Sequence, residues 1–78
     1  MHYHNIKYID PNKLLVIKIN GQLTELLVPI RVIVVIQFNS TLPVNTLTYV
    51  EEIQPDSNHR IIYRIFHTWY PYWGFRIR

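Results

Sequence analysis

The chain has 78 residues, 49% of them hydrophobic and 17% charged, with a formal net charge of +3. That length supports one small domain and is too short for two, and the apolar fraction excludes a disordered chain. Alanine is absent, while Ile, Val and Thr supply 24 residues and the aromatics 11 more. Ala is the best helix former and branched or aromatic side chains fit a pleated surface, so a helical bundle is excluded and an all-β domain is expected.

Cysteine is also absent. That removes disulfide staples, Cys-ligated zinc and thiol catalysis, and favours a cytoplasmic setting over a secreted one. Met1-His2-Tyr3-His4 does not open an apolar signal run. The most apolar stretch, residues 26–38, contains Pro29 and Arg31 and is about two-thirds of the roughly 20 residues of a membrane span. No membrane partner is expected.

In chain order, a first strand is predicted over Tyr3 to Ile9, ending at Asp10-Pro11-Asn12. There Pro fixes φ and Asp hydrogen-bonds locally in a type I turn. A second strand spans Leu14 to Ile19. Asn20-Gly21 then matches a two-residue type I′ hairpin, because both central positions of that turn need positive φ. This register sets Ile19 opposite Gln22, Ile17 opposite Thr24 and Leu15 opposite Leu26 on one face, with Lys18 against Leu23 and Val16 against Glu25 on the other. Pro29 cannot donate to a ladder and marks a strand end or edge.

Ile30 to Phe38 follows, with Ile30, Val32, Val34, Ile36 and Phe38 on one face and Ile33 and Val35 on the other. A strand apolar on both faces is central or covered, which makes this the predicted spine. A strand over Leu47 to Gln54 sets Leu47, Tyr49 and Ile53 against Thr46, Thr48, Val50 and Glu52. Pro55-Asp56-Ser57-Asn58 is a turn cluster. His59 to His67 alternates Ile61, Tyr63 and Ile65 against Arg60, Ile62, Arg64 and Phe66, and a break at Thr68 precedes an aromatic close. Five or six short strands with turn signals about every 8–12 residues describe a small antiparallel barrel or sandwich.

Residues 30–78 resemble an SH3-like barrel. The resemblance rests on the strand Arg31-Val32-Ile33-Val34-Val35, the segment LPVNTLTYV, the strand His59 to Phe66, and the aromatic close with Trp69 and Pro71. Asn45 and Leu47 stand where such barrels often carry Gly. The resemblance implies a barrel core with the residue 1–28 strand and hairpin built into it or added to it. A fold of this type does not set a function.

The charge is unevenly placed. Residues 1–54 balance to zero, whereas residues 55–78 carry Arg60, Arg64, Arg76 and Arg78 against Asp56 alone, together with seven of the aromatics. Trp, Tyr and Arg dominate binding hot spots, because they bury rigid area and keep a polar handle. The expected partner-binding set is therefore Trp69, Tyr70, Tyr72, Arg60, Arg64, Arg76 and Arg78. Trp69, Tyr70 and Tyr72 are the expected outward rings, with Trp73 and Phe75 inward.

Two partner classes compete. A nucleic-acid reader would set these arginines on phosphates and stack its rings on unpaired bases. A module binding a larger protein or complex, as an accessory or regulatory subunit, needs only the patch and a rim, and the charge-neutral first two-thirds favours it. The apolar faces of residues 14–19 and 23–28 also allow a homo-oligomer that pairs edges or faces.

No catalytic constellation is visible, and a non-enzyme without cofactor is expected. His59 shares a strand face with Tyr63 and His67, but Ser40 and Ser57 lie in turn-like loops and offer it no nucleophile. Adjacent Glu51 and Glu52 face opposite sides of a strand and cannot pair. Gly21 and Gly74 are the only glycines, too few for a phosphate loop. His2 and His4 have the spacing to share a metal on a strand face, but no third ligand lies near them, and no metal site is expected.

Overall fold

A computed structural model describes residues 3–78, with side chains from Ile6 onward. His2 and the side chain of His4, the metal pair considered above, lie outside what it describes. The chain forms β1 (Tyr3–Asp10), β2 (Lys13–Lys18), β3 (Leu23–Leu27), β4 (Ile30–Val34), β5 (Leu47–Val50), β6 (Glu52–Pro55), β7 (Ile61–Ile65), β8 (Thr68–Pro71), a 3-10 turn (Tyr72–Gly74) and β9 (Phe75–Ile77). The all-β, antiparallel class is as the composition requires. The expected five or six strands of one barrel are not what forms. Among the described residues nine short strands build three three-stranded sheets, ordered β1-β2-β3, β5-β4-β9 and β6-β7-β8, and none of them closes.

Turn chemistry explains the first sheet. Asp10 Oδ1 accepts the Asn12 N–H at 2.7 Å, closing the β1–β2 turn. The β2–β3 connection departs from the predicted two-residue turn. Gly21 N–H donates to Lys18 O at 2.8 Å and Lys18 N–H to Gln22 O at 3.0 Å, which leaves Ile19, Asn20 and Gly21 as the loop. Only Gly21 takes a positive φ there, 84°. This is a type I turn ending in a left-handed glycine, the favoured three-residue hairpin.

The longer loop slides the register by one, to Leu14 opposite Leu26, Val16 opposite Thr24 and Leu15 opposite Glu25. A one-residue slip exchanges faces, so packing decides between the two registers. In the observed one, Leu14 and Val16 enter the core beside half-buried Leu26 while Glu25 points to solvent. The predicted one would have put Glu25 opposite Val16, on the buried face.

The predicted spine is correct in place but short. β4 is the central strand of its sheet, and Ile30, Val32 and Val34 are buried, but the chain leaves the strand after Val34 and exposes Ile36. The predicted strand 47–54 divides at Glu51, whose N–H donates to Arg64 O at 2.8 Å. Val50 and Ile53 are both fully buried although three apart. Glu51 and Glu52 both face Arg64, and this extra residue swaps the inward face, as a bulge does, and passes the chain from the second sheet to the third.

β7 ends earlier than expected, at Ile65, which pairs with Thr68 across a turn of Phe66 and His67. The predicted break at Thr68 is therefore the first residue of β8. Both turn residues have positive φ, 51° and 62°.

One core serves all three sheets. Leu14 and Val16 of β2 join Ile30, Val32, Val50, Ile53, Ile65 and Phe75, and Leu42 plugs in from the 35–46 loop. Asn39 shapes that loop: its Oδ1 accepts the N–H groups of Thr41 and Leu42, and its Nδ2 donates to Tyr70 Oη at 2.8 Å.

Tyr63 is buried, and no group among the described residues meets its hydroxyl. Burial pushes its pKa well above the ordinary tyrosine value of 10.0. The unfolded chain then loses this proton first as pH rises above about 10, so stability falls with pH from there toward the raised folded value. Tyr63→Phe removes that slope and an unpaired buried hydroxyl, a gain of about 1 kcal/mol at neutral pH. Alkaline titration followed by far-UV circular dichroism should show a higher unfolding midpoint for the variant. An unchanged midpoint would contradict the burial argument.

Candidate functional site

The predicted aromatic–Arg patch divides into separate surfaces. β8 holds Trp69 outward, 41% exposed, and Tyr70 inward, 4% exposed. Tyr70 is therefore corrected from a contact ring to a core ring, packed edge-on to Phe75 at 5.7 Å. Tyr72 is half-buried against the core. The 3-10 turn shifts the alternation, so Trp73, expected inward, is 52% exposed, while Phe75 is buried as expected.

The arginines separate as well. Arg64 is opposite Trp69 on the outer face of β6-β7-β8. Its guanidinium meets Glu52 at 3.0 Å and Glu51 at 3.4 Å, so its charge is already spent locally. Arg60 is exposed in the β6–β7 turn, where its backbone N–H and that of Asn58 reach the Asp56 carboxylate at 2.9 and 2.8 Å. The Arg60 N–H, with help from Asn58, holds that carboxyl below the ordinary aspartate value. Asp56 is thus a turn-forming group.

Arg76 and Arg78 lie elsewhere, Arg76 exposed on β9 and Arg78 exposed just past its end. Arg76 is opposite Ile33 and the Arg78 N–H bonds to Arg31 O at 3.0 Å, which sets Arg31 beside Arg78. On the other flank of β4, Tyr49 is opposite Arg31 and Leu47 opposite Ile33. The outer face of β5-β4-β9 therefore carries a rung Tyr49–Arg31–Arg78 and a rung Leu47–Ile33–Arg76. Arg31 and Tyr49 were not among the predicted site residues, because only the non-local pairing of β4 with β5 and β9 brings them there.

A ring cluster lies at the end of this sheet, with Phe38 packed against the core rings Tyr70 and Phe75. Val35 and Ile36 N–H groups both donate to Gly74 O, at 2.9 and 3.2 Å, extending the β4–β9 contact beyond the strands. Phe38 lies over Gly74, and its ring meets Trp73 edge-on at 5.4 Å and Tyr70 at 5.9 Å. Phe38 and Trp73 are both exposed, as are Val35 and Ile36 beside them. Alternation over 30–38 predicts Phe38 as a strand residue, but β4 ends at Val34. The signal that could have located it is Gly74, the one glycine in the aromatic segment.

Gly74 is needed for space rather than for conformation. An added Cβ would fall inside the envelope of Phe38 Cε2 and Cζ. Gly74→Ala should cost about 1–3 kcal/mol by overpacking, while in a Phe38→Ala background it should be nearly neutral. Thermal melts of the double-mutant cycle check this, and equal costs in both backgrounds would contradict the seating of Phe38 on Gly74.

In comparison with known proteins, no family model, no curated sequence and no solved structure matches this chain.

Proposed function

We propose that the protein is a non-catalytic interaction module that binds a larger protein through the Phe38–Trp73 ring cluster and the strand face beside it. The observation that carries this reading is the exposed edge-on pair Phe38–Trp73, with Phe38 seated on Gly74. Large exposed rings held by neighbours bury rigid area at low entropic cost, which is why they anchor interfaces.

The acidic groups support a non-enzymatic role, since four of the five have a structural task and the fifth, Glu25, points to solvent from β3. Asp10 and Asp56 close turns, while Glu51 and Glu52 hold Arg64. An SH3-like reading of residues 30–78 draws support from the sheet order. Two three-stranded sheets share the segment that bends at Glu51, and a short 3-10 turn leads into the last strand.

The test is capture of partners from cell extract by the immobilised protein, compared with Phe38→Ala, Trp73→Ala and Trp69→Ala variants. Proteins retained by the parent should be lost on Phe38→Ala and Trp73→Ala and kept on Trp69→Ala. Loss on Trp69→Ala with retention on Trp73→Ala would move the site to the β6-β7-β8 face.

A further inference from the structure

We infer that the partner segment is an extended, acidic stretch of polypeptide that lies along the outer face of β5-β4-β9. This rests on the ring-cluster reading above and specifies the chemistry of what binds there.

Three arginines, Arg31, Arg76 and Arg78, are exposed on that face. Among the described residues no acidic side chain projects from it, and the only arginine in an ion pair is Arg64, on a different sheet. The nearest acid along β5, Glu51, is turned away, toward Arg64 and the His67 N–H. Arg31 and Arg78 stand side by side on neighbouring strands. Like charges so placed destabilise a ladder, and a bound anion converts that repulsion into attraction.

The spacing suits polypeptide. Arg78 directly follows β9 and continues its pairing with β4, so two extended residues set it about 7 Å from Arg76 at 3.4 Å per residue. An extended peptide repeats its same-face side chains at that interval, so acids at alternate positions meet both arginines. Each guanidinium offers a planar fork that matches a carboxylate. Between and beside the arginines the face is apolar, with Ile33 and Leu47, and the Phe38–Trp73 pair lies at the end of the same sheet, by Gly74. A segment with alternate acids and one large apolar residue at its end fits that order. A nucleic-acid strand, charged at every unit, would set phosphates against the apolar part.

Fluorescence anisotropy with a labelled Trp-Val-Glu-Val-Glu-Val-Glu peptide tests this, alongside its Gln-for-Glu counterpart and a dT oligonucleotide of equal charge. The Glu peptide should bind about tenfold tighter than the Gln peptide at low salt, and the advantage should shrink as salt rises. The triple variant Arg31→Gln, Arg76→Gln and Arg78→Gln should abolish the advantage while melting no lower than the parent. Trp73→Ala should weaken both peptides alike.

Equal binding of Glu and Gln peptides, lost on Trp73→Ala, would overturn the acidic inference and leave the ring reading standing. Tighter binding of the oligonucleotide than of the Glu peptide would overturn it in favour of nucleic acid. Binding of neither peptide would also overturn it, and the capture experiment would then judge the ring reading on its own.

Discussion

Leu14→Ala is expected to destabilise the protein by about 3 kcal/mol, the usual cost of emptying a fully buried leucine site. Leu14 is completely enclosed although it belongs to the amino-terminal sheet, and it sits in the same core as β4, β7 and β9. The Ile53 N–H also donates to Pro11 O at 3.0 Å, tying the β1–β2 turn to β6. A chain of this length holds roughly 4–12 kcal/mol in all, so one methyl-rich side chain carries a large share. Its loss should lower the melting temperature by roughly 12–24 °C. Leu23→Ala, on the solvent side of the same sheet, is the control and should change stability by less than about 0.5 kcal/mol. Equal, small effects at both positions would mean that the first sheet is an appendage with no share in the core.

The Phe66–His67 turn should be the easiest place to stabilise the protein. Both residues hold left-handed backbone, at φ 51° and 62°, in a two-residue connection between β7 and β8. That conformation costs a non-glycine residue about 1–2 kcal/mol. Asn-Gly is the pair that a type I′ turn favours. Phe66→Asn with His67→Gly relieves most of the strain, offset by about 0.4–1 kcal/mol for the added freedom of glycine in the unfolded chain. The net gain should be about 1–2 kcal/mol, or roughly 5–15 °C in melting temperature. Phe66 is also 59% exposed, so little packing is lost with it. A double variant that melts at or below the parent would contradict the strain argument.

Local chemistry made the turns legible in the sequence. Asp10-Pro11-Asn12 and Asp56-Ser57-Asn58 close their hairpins through the Asp side chain itself, so nothing distant is needed to find them. Asn20-Gly21 located its turn as well, but its length depended on the core. A two-residue and a three-residue hairpin both accept Asn-Gly, and only the burial of Leu14, Val16 and Leu26 selects the second.

The ring assignments failed for a similar reason. Alternation carried through residues 68–77 puts Tyr70 and Trp73 on the wrong sides, because it does not foresee the 3-10 turn that resets the phase. The site was half visible: Arg76 and Arg78 were marked by the charge asymmetry. Arg31, Tyr49 and Phe38 join them only through contacts between segments far apart in the chain.

The central claim is that the ring cluster and the arginine strip form one binding face. It is tested most directly by backbone amide NMR during titration with the Trp-Val-Glu-Val-Glu-Val-Glu peptide. Shifts should concentrate at Arg31, Ile33, Val35, Ile36, Phe38, Gly74, Arg76 and Arg78, and move together with one affinity. Shifts centred on Arg64 and Trp69, or on the outer face of β1-β2-β3, would contradict it.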